Sequence, residues 1–182
     1  MKLRSEPKLE AKLAAFTYQI EAVEFVAGRE YSAIFHEQGL GKTKIAIDVI
    51  LRWLQTKEVD TVLVVTKKGL ITNWQREFAT HSHLRPMVLS DDGKKNYFTF
   101  TTGTRLVLGH FEVAKKEQRR LGAWLRSRRV AIIIDEAAKI KNPDAALTKV
   151  YHELAPLFVK RVIMTGTPVA NRPYDVWSEV FF

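Results

Sequence analysis

A glycine-rich segment, Gly39-Leu40-Gly41-Lys42-Thr43, carries the residue types that bind phosphate. It follows an apolar run at residues 31–35 and precedes another at 45–51, so the pattern predicts a strand, a turn and a helix. Glycines in such a turn let successive backbone N–H groups face one anion. The helix N-terminus, the Lys42 ammonium and the Thr43 hydroxyl complete the site. The segment therefore predicts binding of a nucleoside triphosphate with magnesium.

The match to a phosphate-binding loop is incomplete at one position. The pattern G-x-x-x-x-G-K-[ST] has a glycine where this sequence has His36. A tight turn between a strand and a helix, with a lysine at the start of the helix, is the structural alternative for this segment.

Two adjacent carboxylates, Asp135 and Glu136, follow five apolar residues at 130–134. Such a run predicts a strand that is buried on both faces, as in a parallel sheet. Ligands of open α/β sheets bind at the carboxyl ends of the strands. Asp135 is therefore predicted to hold the metal ion and Glu136 to act as the general base toward water. A solvated acidic strand end is the alternative, and the phosphate-binding pattern in the same chain favours catalysis.

Alternating strand-like and helix-like segments must position these groups. Strands are predicted at residues 31–35, 61–66, 86–90, 105–109, 130–134 and 160–164. Helices are predicted near residues 17–27, 42–56, 69–79, 112–127, 144–154 and 173–181. Substantial loops are predicted at residues 91–96 and 99–104. The alternation predicts βαβ units and an α/β fold whose mostly parallel sheet is covered on both faces.

The composition is that of a globular domain with excess basic charge. The 182 residues include 29 Lys and Arg against 20 Asp and Glu, a formal net charge of +9. This charge favours a polyanionic partner, nucleic acid in particular, although lysine-rich surfaces also keep proteins soluble. On the helix near residues 112–127, the dense basic run is expected to be a solvated face, with DNA contact second. Trp124 and Leu125 are expected on its buried side.

Several classes of protein are excluded by the same composition. The chain has no cysteine, which rules out disulfides and thiolate metal sites. His81 and His83 lack a third ligand, so no zinc is expected. No apolar stretch reaches the roughly 18–20 residues of a membrane span, and the N-terminus lacks a secretory signal. We expect a protein that is not secreted and has no membrane partner, cytoplasmic or nucleoid-associated in a bacterium and nuclear in a eukaryote.

Four ordered motifs resemble those of the Swi/Snf group of superfamily 2 helicases, which are double-stranded DNA translocases. The motifs are Glu37-Gln38-Gly39-Leu40-Gly41-Lys42-Thr43, Lys67-Lys68-Gly69-Leu70-Ile71-Thr72-Asn73-Trp74-Gln75-Arg76-Glu77, Asp135-Glu136-Ala137-Ala138-Lys139-Ile140-Lys141-Asn142 and Met164-Thr165-Gly166-Thr167-Pro168-Val169-Ala170-Asn171. The chain is similar to the first RecA-like lobe of this group, a P-loop NTPase built as a three-layer αβα sandwich. The resemblance implies that residues 1–182 form a single N-terminal lobe of a longer, two-lobed protein.

The resemblance implies an ATP hydrolase that produces ADP and phosphate with ATP and Mg²⁺ as cofactors. Its partners would be double-stranded DNA and a second RecA-like lobe in the same chain. The isolated lobe is expected to be nearly inactive, because the second lobe brings arginines that stabilise the transition state. A regulatory or interaction module with a vestigial ATPase and a strand-separating helicase are the alternatives.

Roles for individual residues follow from the resemblance and the motifs together. The predicted nucleotide-binding residues are Gln19, Gly39, Leu40, Gly41, Lys42 and Thr43. The predicted catalytic residues are Lys42, Asp135 and Glu136, and the metal ligands are Thr43 and Asp135. The predicted coupling or DNA-contacting residues are Lys67, Lys68, Asn73, Thr165, Gly166 and Thr167. Gln19 would contact the adenine edge while an aromatic side chain covers the base, and Trp74 is expected to pack in the core.

Two further departures from the group bear on coupling between ATP and DNA. Ala138 stands where the group has a histidine that links the acid motif to the Thr-Gly-Thr motif, so that link is absent in its usual form. Lys67 stands where the group has a proline, which adds a charge near the expected path of DNA.

Overall fold

A six-stranded parallel sheet forms the centre of the structure, a computed structural model that describes residues 6–35, 39–140, 142 and 145–166. The strands are β1 (Tyr31–Ile34), β2 (Thr61–Thr66), β3 (Met87–Val88), β4 (Leu106–His110), β5 (Val130–Asp135) and β6 (Lys160–Met164). Their order across the sheet is β1-β6-β5-β2-β4-β3, and every neighbouring pair is parallel. The six predicted strands are confirmed, with small shifts at their ends.

Helices cover both faces of this sheet. They are α1 (Thr17–Ala27), α2 (Lys42–Gln55), α3 (Ile71–His81), α4 (Gly93–Thr101), α5 (Phe111–Lys116), α6 (Gln118–Arg126) and α7 (Ala146–Leu154). The predicted helices near residues 17–27, 42–56, 69–79 and 144–154 are confirmed. The one predicted near 173–181 lies outside the described residues. Within the described part, no helix combines the length and the apolarity that crossing a bilayer requires.

The core consists of two apolar clusters, one on each face of the sheet. Along β2, Val62 and Val64 pack toward α1, α2 and α3, whereas Leu63 and Val65 pack toward α5, α6 and α7. This alternation follows from the two-residue period of a strand, and it needs apolar side chains on both faces. The structure is therefore a three-layer αβα sandwich, as predicted.

The prediction of loops at residues 91–96 and 99–104 was wrong, because most of this segment is helix α4. The Asp92 side chain caps α4 by accepting a hydrogen bond from the Lys94 N–H at 3.0 Å. Asn96 is buried, where its side chain bonds both backbone groups of Ser90 at 2.7 and 2.8 Å. Asp92 and Asn96, polar residues that suggest a loop, thus cap α4 and bond it to the preceding segment. Phe100 of α4 packs edge-on against Trp124 of α6.

The single helix predicted near 112–127 is instead two helices that meet at Glu117. This residue is buried, and its carboxylate accepts a hydrogen bond from the Asn96 amide at 3.0 Å and pairs with Arg120 at 3.3 Å. Trp124 and Leu125 are buried on α6, as predicted.

Candidate active site

Parallel strands bring three predicted motifs to one edge of the sheet. Strand β6 lies between β1 and β5, and Met164 is in register with both Ile34 and Asp135. The glycine-rich segment that follows β1, the carboxylate pair that ends β5 and Thr165 after β6 therefore lie side by side. This edge is where ligands bind in open α/β sheets.

The glycine-rich segment has the backbone conformation that a phosphate-binding loop requires. Gly39 and Gly41 have φ values of +88° and +69°, the left-handed region that other residues rarely adopt. Gly41 caps α2, and its carbonyl accepts a hydrogen bond from the Ile45 N–H at 3.0 Å. Lys42 and Thr43 are the first residues of α2, at its positive end. His36 lies outside the described residues.

A cavity of about 620 Å³ lies between this loop and α1, a volume within the range of small-ligand sites. Gln19, Lys42, Thr43 and Asn73 are among its lining residues. Asn73, on α3, was predicted to contact DNA; in the structure it lines this cavity, and a DNA contact by Asn73 stays a prediction.

Gln19 forms part of the wall of this cavity. It is buried, and its Oε1 accepts a hydrogen bond from the Phe16 N–H at 3.0 Å. Because Oε1 is engaged by Phe16, a contact between Gln19 and a base edge would use the amide nitrogen Nε2, which lies beside Gly41. The rings of Phe16 and Tyr18 are stacked 6.0 Å apart, and both residues line the cavity.

Replacing Gly41 by alanine is expected to disrupt this wall. The new Cβ would lie 2.4 Å from Gln19 Nε2, and the left-handed φ would also be strained. Gly39→Ala is the matched control, since Gly39 has a positive φ but, among the described residues and its chain neighbours aside, no atom lies within 4 Å of the new Cβ. Each variant should lose about 1–2 kcal/mol of stability to backbone strain. Only Gly41→Ala should also displace Gln19, so the Gly41→Ala variant should bind ATP more weakly than the Gly39→Ala variant. Chemical denaturation and calorimetry measure the two effects, and equal ATP affinity in both variants would contradict this role of Gln19.

Asp135 is oriented by two hydrogen bonds that fall on the same oxygen. Its Oδ2 accepts from Thr66 Oγ1 at 3.0 Å and from Trp74 Nε1 at 2.8 Å. Trp74 is buried and its ring packs on Phe78, so the packing role is confirmed, but its bond to Asp135 was missed. Thr66 was missed as well, although its position at the end of the strand beside β5 could have indicated it.

Glu136 has a strained backbone and a cationic partner. Its φ of +60° lies in the left-handed region, which costs a non-glycine residue on the order of 1 kcal/mol and is often found at functional sites. The Lys67 ammonium donates to Glu136 Oε2 at 3.0 Å. Both side chains are partly exposed, so this ion pair is accessible to solvent.

Lys68 lies in a separate group of charged residues around Asp91. The Asp91 carboxylate pairs with Lys68 at 2.7 Å, with Lys116 at 2.9 Å and with His110 at 3.3 Å. Hydrogen bonds from Lys68 and Lys116 hold the pKa of Asp91 well below its usual range. His110 in turn lies 3.0 Å from Glu112, and this hydrogen bond lowers the pKa of Glu112. The two lysines predicted to contact DNA thus each have a carboxylate partner.

Thr165 and Gly166 lie beside the carboxylate pair, where the resemblance placed them. Thr165 is buried, and its N–H donates to the Ile34 carbonyl at 3.4 Å. Thr167 lies outside the described residues. Ala138 belongs to a short 3-10 turn after β5 and has no side-chain group that could form the usual bridge.

The three-layer fold, with a glycine-rich loop and a carboxylate pair at one edge of its parallel sheet, defines a RecA-like domain. The chain belongs to the SNF2-related domain family, whose model matches residues 18–182. It is similar to an uncharacterized ATP-dependent helicase of Mycoplasma genitalium, at 28% identity over 88% of this chain and 16% of that protein. It is also similar to the ISWI chromatin-remodeling complex ATPase ISW1 of Saccharomyces cerevisiae, at 27% identity over 91% of this chain and 15% of that protein.

A solved structure shares the fold as well. The Sulfolobus solfataricus SWI2/SNF2 ATPase core in complex with dsDNA superimposes with a TM-score of 0.79 and 27% sequence identity. The match covers 98% of this chain and 37% of that chain. The chain therefore spans about a sixth of these curated relatives and about a third of the solved core.

Proposed function

We propose that this domain is the ATP-binding lobe of an ATPase that moves along double-stranded DNA. The observation that carries the proposal is the placement of the glycine-rich loop, the carboxylate pair and Thr165 at one edge of the sheet in a SNF2-related chain. The loop and the N-terminus of α2 bind the phosphates, with Lys42 against the β- and γ-phosphates. Gln19, Phe16 and Tyr18 receive the adenine.

The residues present fit a magnesium ion that arrives with the nucleotide. Among the described residues there is no group of three His, Asp or Glu side chains that could form a protein cage for a metal. Magnesium with a nucleotide takes one or two protein oxygens, phosphate oxygens and water instead. Thr43 and Asp135 would hold it, and it would neutralise charge on the phosphates. Because Thr66 and Trp74 both donate to Asp135 Oδ2, Oδ1 is the oxygen that Asp135 would offer to an ion.

Hydrolysis needs a base and a source of positive charge near the transferred phosphoryl group. Glu136 lies next to the proposed metal ligand and is the general base that orients and deprotonates water. The described residues enclose the nucleotide from one side, so we propose that a second RecA-like lobe supplies the missing cations. Without it, residues 1–182 should hydrolyse ATP barely above background.

Duplex DNA is the proposed polyanion. The structural neighbour was solved with dsDNA, and this chain carries a formal charge of +9. Exposed lysines also follow β2, at the edge of the sheet where the carboxylate pair lies. Lys67 and Lys68 would contact the phosphate backbone, and Thr165, Gly166 and Thr167 would link that contact to the nucleotide. A protein with this activity works in the cytoplasm or nucleoid, or in the nucleus of a eukaryote.

ATP hydrolysis by the whole protein with and without duplex DNA tests the proposal. Stimulation by duplex together with movement along it supports a translocase. ATP binding without hydrolysis would favour a regulatory module with a vestigial ATPase, for which the missing histidine at Ala138 is the one indication. Release of a labelled strand would favour a strand-separating helicase.

DNA binding is expected to be weak, independent of sequence and strongly dependent on salt. Each phosphate neutralised contributes about −0.9 to the slope of log affinity against log salt concentration. Lys68→Ala should therefore reduce the magnitude of that slope by about 0.9, the contribution of one phosphate contact. Lys57→Gln is the control, because Lys57 lies just before β2, at the opposite end of that strand. Fluorescence anisotropy across a salt series measures the slopes, and a tenfold preference for one short sequence would contradict the proposal.

A further inference from the structure

The Lys67–Glu136 ion pair follows directly from the register of neighbouring strands. Val65 of β2 is in register with Ile134 of β5. Two residues farther along, Lys67 and Glu136 therefore leave the sheet side by side, and their charged atoms lie 3.0 Å apart. The pair joins the segment that we assign to DNA contact with the residue that we assign to water activation.

Each group partly neutralises the other while they are paired. The Lys67 ammonium keeps two further N–H donors, but the adjacent Glu136 carboxylate repels a DNA phosphate that approaches it. The bond also holds Glu136 Oε2 toward Lys67, away from the task of orienting the attacking water. The side chains are 53% and 37% exposed, and ion pairs this exposed change an equilibrium by a factor of about five or less. A phosphate that approaches Lys67 could therefore replace Glu136 as its partner.

Ala138, two residues after Glu136, has no polar side-chain group that could hold either member of this ion pair. We propose that Lys67 is a positioning residue exchanged between Glu136 and a DNA phosphate, so that DNA binding releases the general base. This inference rests on the proposed function, since it takes duplex DNA as the partner.

Lys68 provides an internal comparison, because it is adjacent in sequence and equally cationic. Its ammonium pairs with Asp91, which Lys116 also contacts, and Asp91 belongs to the segment after β3 rather than to the acid motif. Lys68 can therefore contribute to DNA binding without any effect on Glu136.

The exchange predicts that DNA affinity depends on the charge of Glu136. If DNA must break the pair, Glu136→Gln frees Lys67 in advance and raises the affinity for duplex by about two- to fivefold. The measurement is fluorescence anisotropy of a labelled mixed-sequence duplex with the full chain at low salt and without nucleotide. Circular dichroism and thermal unfolding of each variant check that it is folded.

A double-mutant cycle separates this effect from the general gain that follows removal of a negative charge near DNA. The gain in DNA affinity from Glu136→Gln should disappear when Lys67 is replaced by Ala. It should remain when Lys67 is replaced by Arg, which keeps the charge, and it should be unchanged when Lys68 is replaced by Ala. A merely structural role of Lys67 would not give this dependence on Glu136.

Failure of the exchange and failure of the proposed function would give different results. If wild type binds DNA in a salt-dependent way but Glu136→Gln gives no gain, or the same gain with and without Lys67, the exchange is refuted and the proposed function stands. If neither wild type nor Glu136→Gln shows salt-dependent binding of duplex, the proposed function fails and the exchange fails with it.

Discussion

Lys42→Ala is expected to weaken ATP binding by about 2–4 kcal/mol, which corresponds to roughly 30- to 700-fold in the dissociation constant. The substitution removes the ammonium that we propose faces the β- and γ-phosphates. The left-handed glycines and the N-terminus of α2 remain, so part of the affinity should persist. The effect is large because a charged hydrogen-bond donor is taken from an anion that is partly shielded from water.

Isothermal titration calorimetry of wild type and Lys42→Ala with Mg²⁺ and ATP measures this loss. Arg52→Ala is the matched control, because it removes one cation from the last turn of the same helix. Ten residues of helix place Arg52 about 15 Å from Lys42 along the axis, beyond direct contact with the phosphates. Equal ATP affinity in wild type and Lys42→Ala would contradict the assignment of a phosphate-binding loop.

Glu136→Gln is expected to retain ATP binding and to lower turnover by about 10²–10⁴-fold, the usual contribution of a general base. The amide has the size of the carboxylate but cannot accept a proton from water. Asp135 keeps its bonds to Thr66 and Trp74, so the metal position should be undisturbed. Only the chemical step should be affected, and the dissociation constant for ATP should change little.

Phosphate release by a protein that includes the second lobe, with saturating duplex DNA, measures this loss of turnover. Glu112→Gln is a suitable control, since it neutralises a carboxylate in the first turn of α5, directly after β4, where its partner is His110. Hydrolysis by Glu136→Gln at the wild-type rate would place the general base elsewhere.

Local patterns were sufficient to predict most elements of the fold. Strand β5 is a run of apolar residues with both faces buried, and hydrophobicity alone identifies such a run. The glycine-rich loop was predicted because left-handed turns and helix starts have strong local signals, as the φ values of Gly39 and Gly41 illustrate. Parallel order then placed Asp135 and Thr165 at the same edge as the loop.

Helix α4 and the break at Glu117 could not be predicted in the same way. Gly93 and Asn96 are poor helix formers. Asn96 is nevertheless held within α4 by bonds to Ser90, six residues earlier, and to Glu117, which α4 meets only in the folded chain. Such bonds depend on which segments are neighbours in space, and a local pattern does not contain that information.

The sequence by itself determined the class of the fold, the order of its strands along the chain, the family resemblance and the candidate residues for phosphate, metal and base. Only the tertiary structure decided the partners of those residues. Thr66 and Trp74 donate to Asp135, Lys67 pairs with Glu136, and Gln19 packs against Gly41. For Thr66 and Asp135 the partner depends on which strands are adjacent and in what register, because a shift of one residue would turn a strand side chain to the other face of the sheet. For Trp74 and Gln19 it depends on how helices α3 and α1 pack beside the sheet.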